Sequence, residues 1–228
     1  MSFPVRVRNV GFVMPASARQ LKEPYSSCDR CSLNDYHLAL FYNYEPLMEG
    51  EDPVAVIRQA IAEALSHFHQ LADKSISRLY VDCNREGLRI VEAEALISLE
   101  DLSESPRCSV NYFIPDNFGL VTRPLLQFQI TGLLCGGFVV GIRWNNTIVN
   151  QSEILAFLRV VAEVSKGYKI SSFEGLCRVN PLQAIDFGWG RPQYYCAPCY
   201  FPNSIVEMNK VVRLSVEPSS SIIIQSRL

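Results

Sequence analysis

Neither sign of charge predominates in this chain: 21 lysines and arginines stand against 23 aspartates and glutamates, a formal net charge of −2. With no basic excess to neutralise phosphates, nucleic acid is not expected as a partner. Long apolar runs are lacking too. No stretch approaches the roughly 20 consecutive apolar residues that a membrane-spanning helix needs, so no membrane is expected either. The opening MSFPVRVRNVGFVMP alternates like a strand and has no continuous apolar block of the kind that marks a secretory signal. The chain is accordingly placed in the cytoplasm. Several catalytic signatures are also missing: the sequence contains no GxGxxG, no P-loop, no HExxH and no GxSxG elbow. Histidine is scarce, occurring only at His37, His67 and His69, so any histidine-based mechanism must draw on one of these.

Cysteine, by contrast, is plentiful: Cys28, Cys31, Cys83, Cys108, Cys135, Cys177, Cys196 and Cys199. In a chain without an export signal they read as reduced thiols. Cys28-x-x-Cys31 and Cys196-x-x-Cys199 have the local spacing of a four-thiolate zinc site, but the gap between them is very long and neither lies in a Gly-rich knuckle. Chance spacing in loops is the better reading, and no metal is expected. Asn145-Asn146-Thr147 and Asn150-Gln151-Ser152 match the glycosylation sequon, which matters only in a secreted chain.

The apolar pattern predicts a helix from Pro53 to about Leu71. Asp52 suits its N-cap, Pro53 its first position, and Val54, Ile57, Ile61, Leu65, Phe68 and Leu71 recur at helical steps. A second helix is predicted from Gln151 to Lys166, opened by an Asn150/Glu153 capping box and stopped by Gly167. Strand-like runs are Val5–Val13, Leu38–Tyr44, Arg78–Cys83, Leu88–Ala93, Leu125–Thr131 and Phe138–Trp144, with short candidates at Val211–Val216 and Ile222–Gln225. Gly132 and the pair Gly136-Gly137 read as joining two of these in a hairpin that leads into the second helix. Mixed strands and helices without strict alternation indicate a layered α/β or α+β fold with a mixed sheet. His67 and His69 sit two residues apart at the end of the first helix, where they point to different faces and make a poor metal pair. His37 opens a strand and reads as a surface or packing residue.

Longer stretches carry a family resemblance. They are Tyr42-Asn43-Tyr44, the helix beginning Asp52-Pro53-Val54, Val81-Asp82-Cys83-Asn84-Arg85-Glu86-Gly87, Gln129-Ile130-Thr131, Cys135-Gly136-Gly137-Phe138 and Asp186-Phe187-Gly188-Trp189-Gly190. In this order they resemble the BAHD acyltransferases, plant enzymes that move acyl groups from coenzyme A thioesters to alcohols or amines. The resemblance implies a chloramphenicol-acetyltransferase-like lobe over residues 1–167, and a junction with a remnant of the second lobe over residues 168–228. Most of that second lobe, which in the family supplies much of the coenzyme A surface, is then expected to be absent. A lobe stripped of its neighbour would expose an apolar face and favour self-association.

Family chemistry depends on an HxxxD motif directly after the strand that here ends in Trp144. By alignment the histidine position falls on Asn146, the aspartate position on Asn150, and the glycine that follows on Gln151. An amide nitrogen offers no lone pair to act as a base near neutrality, and losing a positioned general base costs about 10²–10⁴ in rate. Asn146 could still donate a hydrogen bond to a carbonyl oxygen. Asn150 doubles as a good helix cap. Another departure is Gln70-Leu71-Ala72-Asp73-Lys74 where the family usually has Pro-Leu-Ala-Gly-Arg. Asp186–Gly190 correspond to the family's structural DFGWG segment, a packing and turn element. The expectation is an acyltransferase homologue with no covalently bound cofactor, with acyl-CoA and a small-molecule acceptor as implied ligands, and with acyl transfer absent or very weak. Two alternatives stay open: a working acyltransferase, or a pocket turned to a reaction that needs no base.

Overall fold

The computed structural model describes residues 3–17, 35–72, 74–75, 81–82, 87–104, 110–116, 123–145, 149–169, 181–196, 206–207, 214–215 and 223–224. In chain order the elements are β1 (Val5–Val13), β2 (Asp35–Tyr42), α1 (Pro53–Leu65), β3 (Lys74–Ser75), β4 (Val81–Asp82), β5 (Leu88–Ala95) and α2 (Leu99–Glu104). They continue with β6 (Arg123–Pro124), β7 (Leu126–Leu133), β8 (Phe138–Asn145), α3 (Gln151–Ser165), β9 (Tyr194–Cys196), β10 (Val206–Glu207), β11 (Leu214–Ser215) and β12 (Ile223–Ile224). The main sheet has the order β1-β5-β7-β8-β2-β9-β10. Strand β5 runs parallel to β7 and its other neighbour is antiparallel, so the sheet is mixed. Small ladders join β3 to β4 and β6, and β11 to β12.

Alternation along the strands sorts side chains onto two faces. One face carries Leu38, Leu40, Tyr42, Leu126, Phe128, Ile130, Val140 and Ile142, which form a single core with Ile57, Ile61 and Leu65 of α1 and Ile154, Phe157 and Leu158 of α3. The opposite face carries Ala39, Phe41 and Val139, packed under Leu99 and Leu102 of α2 and under Phe113 and Ile114. Gly141 shows how close that cover lies. A Cβ there would stand 1.7 Å from the Phe113 carbonyl oxygen, so only glycine lets the backbone of the β5–β7 connection rest on β8.

Both helices start where the sequence says. Asp52 Oδ1 accepts the Val54 N–H at 2.9 Å, with Pro53 in the first position. The first helix is shorter than its apolar stripe suggests. It ends at Leu65 and resumes only as a 3₁₀ turn over His69–Ala72. Continuing the α-helix would require the Ser66 N–H to reach the Ala62 carbonyl, but that oxygen accepts the Ala16 N–H at 2.8 Å and the Ser66 hydroxyl at 3.4 Å instead. The Ser66 N–H turns to the Glu63 carbonyl, and its hydroxyl accepts the Ser17 N–H. A chain crossing thus unwinds the helix, and Leu71 still reaches the core. Strand β2 begins three residues before the run Leu38–Tyr44 and stops at Tyr42, because its partner β8 starts only at Phe138, after the Gly136-Gly137 turn. The strand candidate Arg78–Cys83 is described only at Val81–Asp82.

Candidate functional site

Strand β8 delivers the chain to the motif region. Its last residue, Asn145, is buried, donates its N–H to the Leu125 carbonyl at 3.0 Å and accepts the Val149 N–H at 3.0 Å. Asn146, in the family histidine position, lies outside the described residues. So do Cys28, Cys31, Cys83, Cys108, Cys177 and Cys199.

Asn150, in the aspartate position, is exposed and caps α3. Its Oδ1 accepts the Glu153 N–H at 3.0 Å, and Glu153 Oε2 accepts the Asn150 N–H at 2.9 Å. Both halves of the capping box are made, so two donors that every helix start leaves open are satisfied. The side chain is therefore committed to the helix by its oxygen. Gln151, in the glycine position, is the first residue of the helix.

Neither described histidine side chain is placed to stand in as the base. His37 pairs in register with Arg143, and Arg143 Nε donates to His37 Nε2 at 3.0 Å. Burial, helped by the Arg143 charge and opposed by Asp35, lowers the His37 pKa, so the ring is neutral near pH 7. Its proton then sits on Nδ1, and the Nε2 lone pair that a base would use is already occupied. His67 lies past the end of α1, on the helix side of the molecule, and the side chain of His69 lies outside the described residues. One donor is conspicuous. Trp144 is 4% exposed and rests against the Tyr36 ring at 5.8 Å, yet its Nε1–H finds no acceptor among the described residues. Nothing in its sequence context, an apolar strand end, signals that.

The Asp186–Gly190 segment folds onto the helix-side core at the far end of β8. Phe187 and Trp189 are buried, Phe187 against Tyr42 and Trp189 edge-on to Phe138. Between them Gly188, at φ +110°, reverses the backbone, and Asp186 Oδ1 accepts its N–H at 2.8 Å. The buried Tyr42 hydroxyl donates to the Ile185 carbonyl at 3.0 Å. Burial pushes the Tyr42 phenol well up, with the Asp186 charge adding to it, so it stays a neutral donor. Directly after Gly190, β9 joins the sheet edge beside β2. Tyr42 aligns with Phe138 and His37 with Arg143, so the segment packs near the start of β8 while the 146–150 region follows its end. The structure thus separates Asp186–Gly190 from Asn150 rather than joining them in one site.

A family model described as the Transferase family matches residues 3–177. Among curated relatives, alcohol acyltransferase 1 of Actinidia chinensis var. chinensis is 34% identical over 198 residues, which cover 81% of this chain and 42% of that protein. Benzyl alcohol O-benzoyltransferase of Nicotiana tabacum is 35% identical over 137 residues, covering 56% of this chain and 30% of its own. The chain spans about two fifths of the length of alcohol acyltransferase 1. Among solved structures, vinorine synthase superposes with a TM-score of 0.61 at 21% identity, over 80% of this chain and 49% of that one. That likeness establishes the fold.

Proposed function

This chain belongs to the BAHD acyltransferases, the Transferase family, and on that premise we propose that it is an alcohol-acyltransferase homologue whose acyl-transfer chemistry is lost or very weak. The observation that carries the proposal is the pair of amides at 146 and 150, where the family motif has histidine and aspartate. Acyl transfer from a thioester to an alcohol requires the hydroxyl proton to leave as the oxygen attacks. Neither amide can take it, and the neighbouring His37 has its acceptor nitrogen engaged by Arg143. The names of the relatives, alcohol acyltransferase and benzyl alcohol O-benzoyltransferase, support an alcohol as the acceptor class and an acyl group as what is transferred, with the acyl-CoA donor following from the family resemblance.

The test is the purified chain with acyl-CoA donors and simple alcohols, alongside the double variant Asn146→His/Asn150→Asp. The expected result is negligible turnover by the native chain and a gain of about 10²–10⁴ in the double variant, the usual value of a positioned general base. Robust native turnover that disappears on replacing Asn146 would overturn the proposal. A double variant that binds acyl-CoA and stays silent would place the defect in the pocket rather than in the missing base.

A further inference from the structure

A transverse polar row crosses the sheet face turned away from α1 and α3, and the acyl-transfer motif does not use it. Arg89 on β5 aligns with Gln127 on β7, Gln127 with Arg143 on β8, and Arg143 with His37 on β2. Four consecutive neighbours in the sheet thus present polar side chains at one level. That level lies next to the end of β8, beside the segment in which Gln129 Nε2 donates to the Tyr112 carbonyl at 2.8 Å. From the alignment and the bonds within the row, we propose that Arg89 and Arg143 form a two-pronged site for an oxyanion, a phosphate or a carboxylate, held over Gln127.

Two surface arginines are ordinarily just solvated, and the difference here is that each guanidinium is anchored by hydrogen bonds to its neighbours. Arg89 Nη1 donates to Gln127 Oε1 at 2.8 Å and to the Asp116 carbonyl at 2.9 Å, which leaves Nη2 and Nε without a partner among the described residues. Arg143 spends Nε on His37, and among the described residues its two terminal amino groups have no partner. Each side chain is half-buried, and Gln127 between them is 1% exposed. Planar forks fixed by one edge and open at the other are suited to a group with two or three equivalent oxygens. The like charges feel each other: burial lowers the Arg89 pKa and Arg143 adds to the effect, while Asp116 opposes it. An anion between them relieves that repulsion. His37 remains neutral and only orients Arg143, while Asp35 and Asp116 at the two ends of the row offset part of the charge. Binding should therefore be moderate and weakened by salt. The site stands apart from the fate of the catalytic base, because it binds whether or not transfer follows.

The two sources of such an oxyanion are the phosphates of a coenzyme A thioester and a carboxylate on the acceptor. Calorimetric titration of the full chain at low salt with pyrophosphate, malonate and coenzyme A separates them. Preference for pyrophosphate and coenzyme A identifies the phosphate, and preference for malonate identifies the carboxylate. Either way Arg89→Gln or Arg143→Gln should weaken the preferred probe about tenfold or more, the usual cost of losing a charged hydrogen-bond donor. Arg143→Lys, which keeps the charge and loses the fork, should lose most of that affinity while melting like the native chain. The exposed Arg6→Gln should change nothing. No binding of any probe overturns the proposal, as does affinity indifferent to both arginines or reduced equally by Arg6→Gln.

Discussion

Replacing Asn150 by alanine should lower stability while replacing it by aspartate should not, although both changes alter the family's second motif position. The side-chain oxygen at 150 serves the helix: Oδ1 takes the Glu153 N–H at 3.0 Å, and the reciprocal bond from the Asn150 N–H to Glu153 Oε2 measures 2.9 Å. Alanine removes the first bond and leaves the second without the geometry that held it. Loss of such a cap costs about 1 kcal/mol, within a range of 0.5–2. For a chain of this size that is a fall in Tm of about 2–4 °C. Aspartate keeps an acceptor in the same place and adds a negative charge at the helix N-terminus, a gain of about 0.3–1 kcal/mol that the nearby Glu153 carboxylate partly offsets. Thermal melts followed by far-ultraviolet circular dichroism should therefore rank Asn150→Asp level with or above the native chain, and Asn150→Ala below it. An alanine variant that melts like the native chain would refute the reasoning, and so would an aspartate variant that melts below the alanine one. The ranking also bears on function: if aspartate is structurally free at 150, an inactive Asn146→His/Asn150→Asp chain cannot be explained by misfolding at that position.

Three further outcomes follow from the packing. Gly141→Ala places a methyl group 1.7 Å from the Phe113 carbonyl oxygen, so it should cost at least about 3 kcal/mol, the upper end for overpacking, and denaturant titration should show the loss. Phe187→Ala empties a fully buried ring site beside Tyr42 and should cost about 3–5 kcal/mol by the same measurement, loosening the Asp186–Gly190 segment from the core. His37 titrates below its unfolded value, so the folded state binds fewer protons there than the unfolded chain does. Its contribution is complete above the unfolded pKa and is lost as pH falls through the lowered folded one. Melts should accordingly show a decline below about pH 6.5, and that decline should be smaller in His37→Gln.

What could be seen in the sequence was whatever depends on near neighbours. The capping box at Asn150, the proline start of α1 and the glycine turn between β7 and β8 involve residues within a few positions of one another, and their chemistry is local. The early end of α1 was hidden because its cause is distant: Ala16 takes the carbonyl that the next helical turn needed. The same distinction governs the site residues. Asn146 and Asn150 are conspicuous because a linear motif names their positions. Arg89, Gln127, Arg143 and His37 lie as far apart as residues 37 and 143, and become neighbours only when β2, β5, β7 and β8 adopt their register. A shift of one residue in any of those pairings would turn at least one of the four to the opposite face. The core fixes the register, because Leu38, Ile142, Phe128 and Ile90 must all face the helices at once. The apolar residues that build one side of the sheet thereby align the polar row on the other, so a substitution that slips β8 should abolish oxyanion binding without touching either arginine.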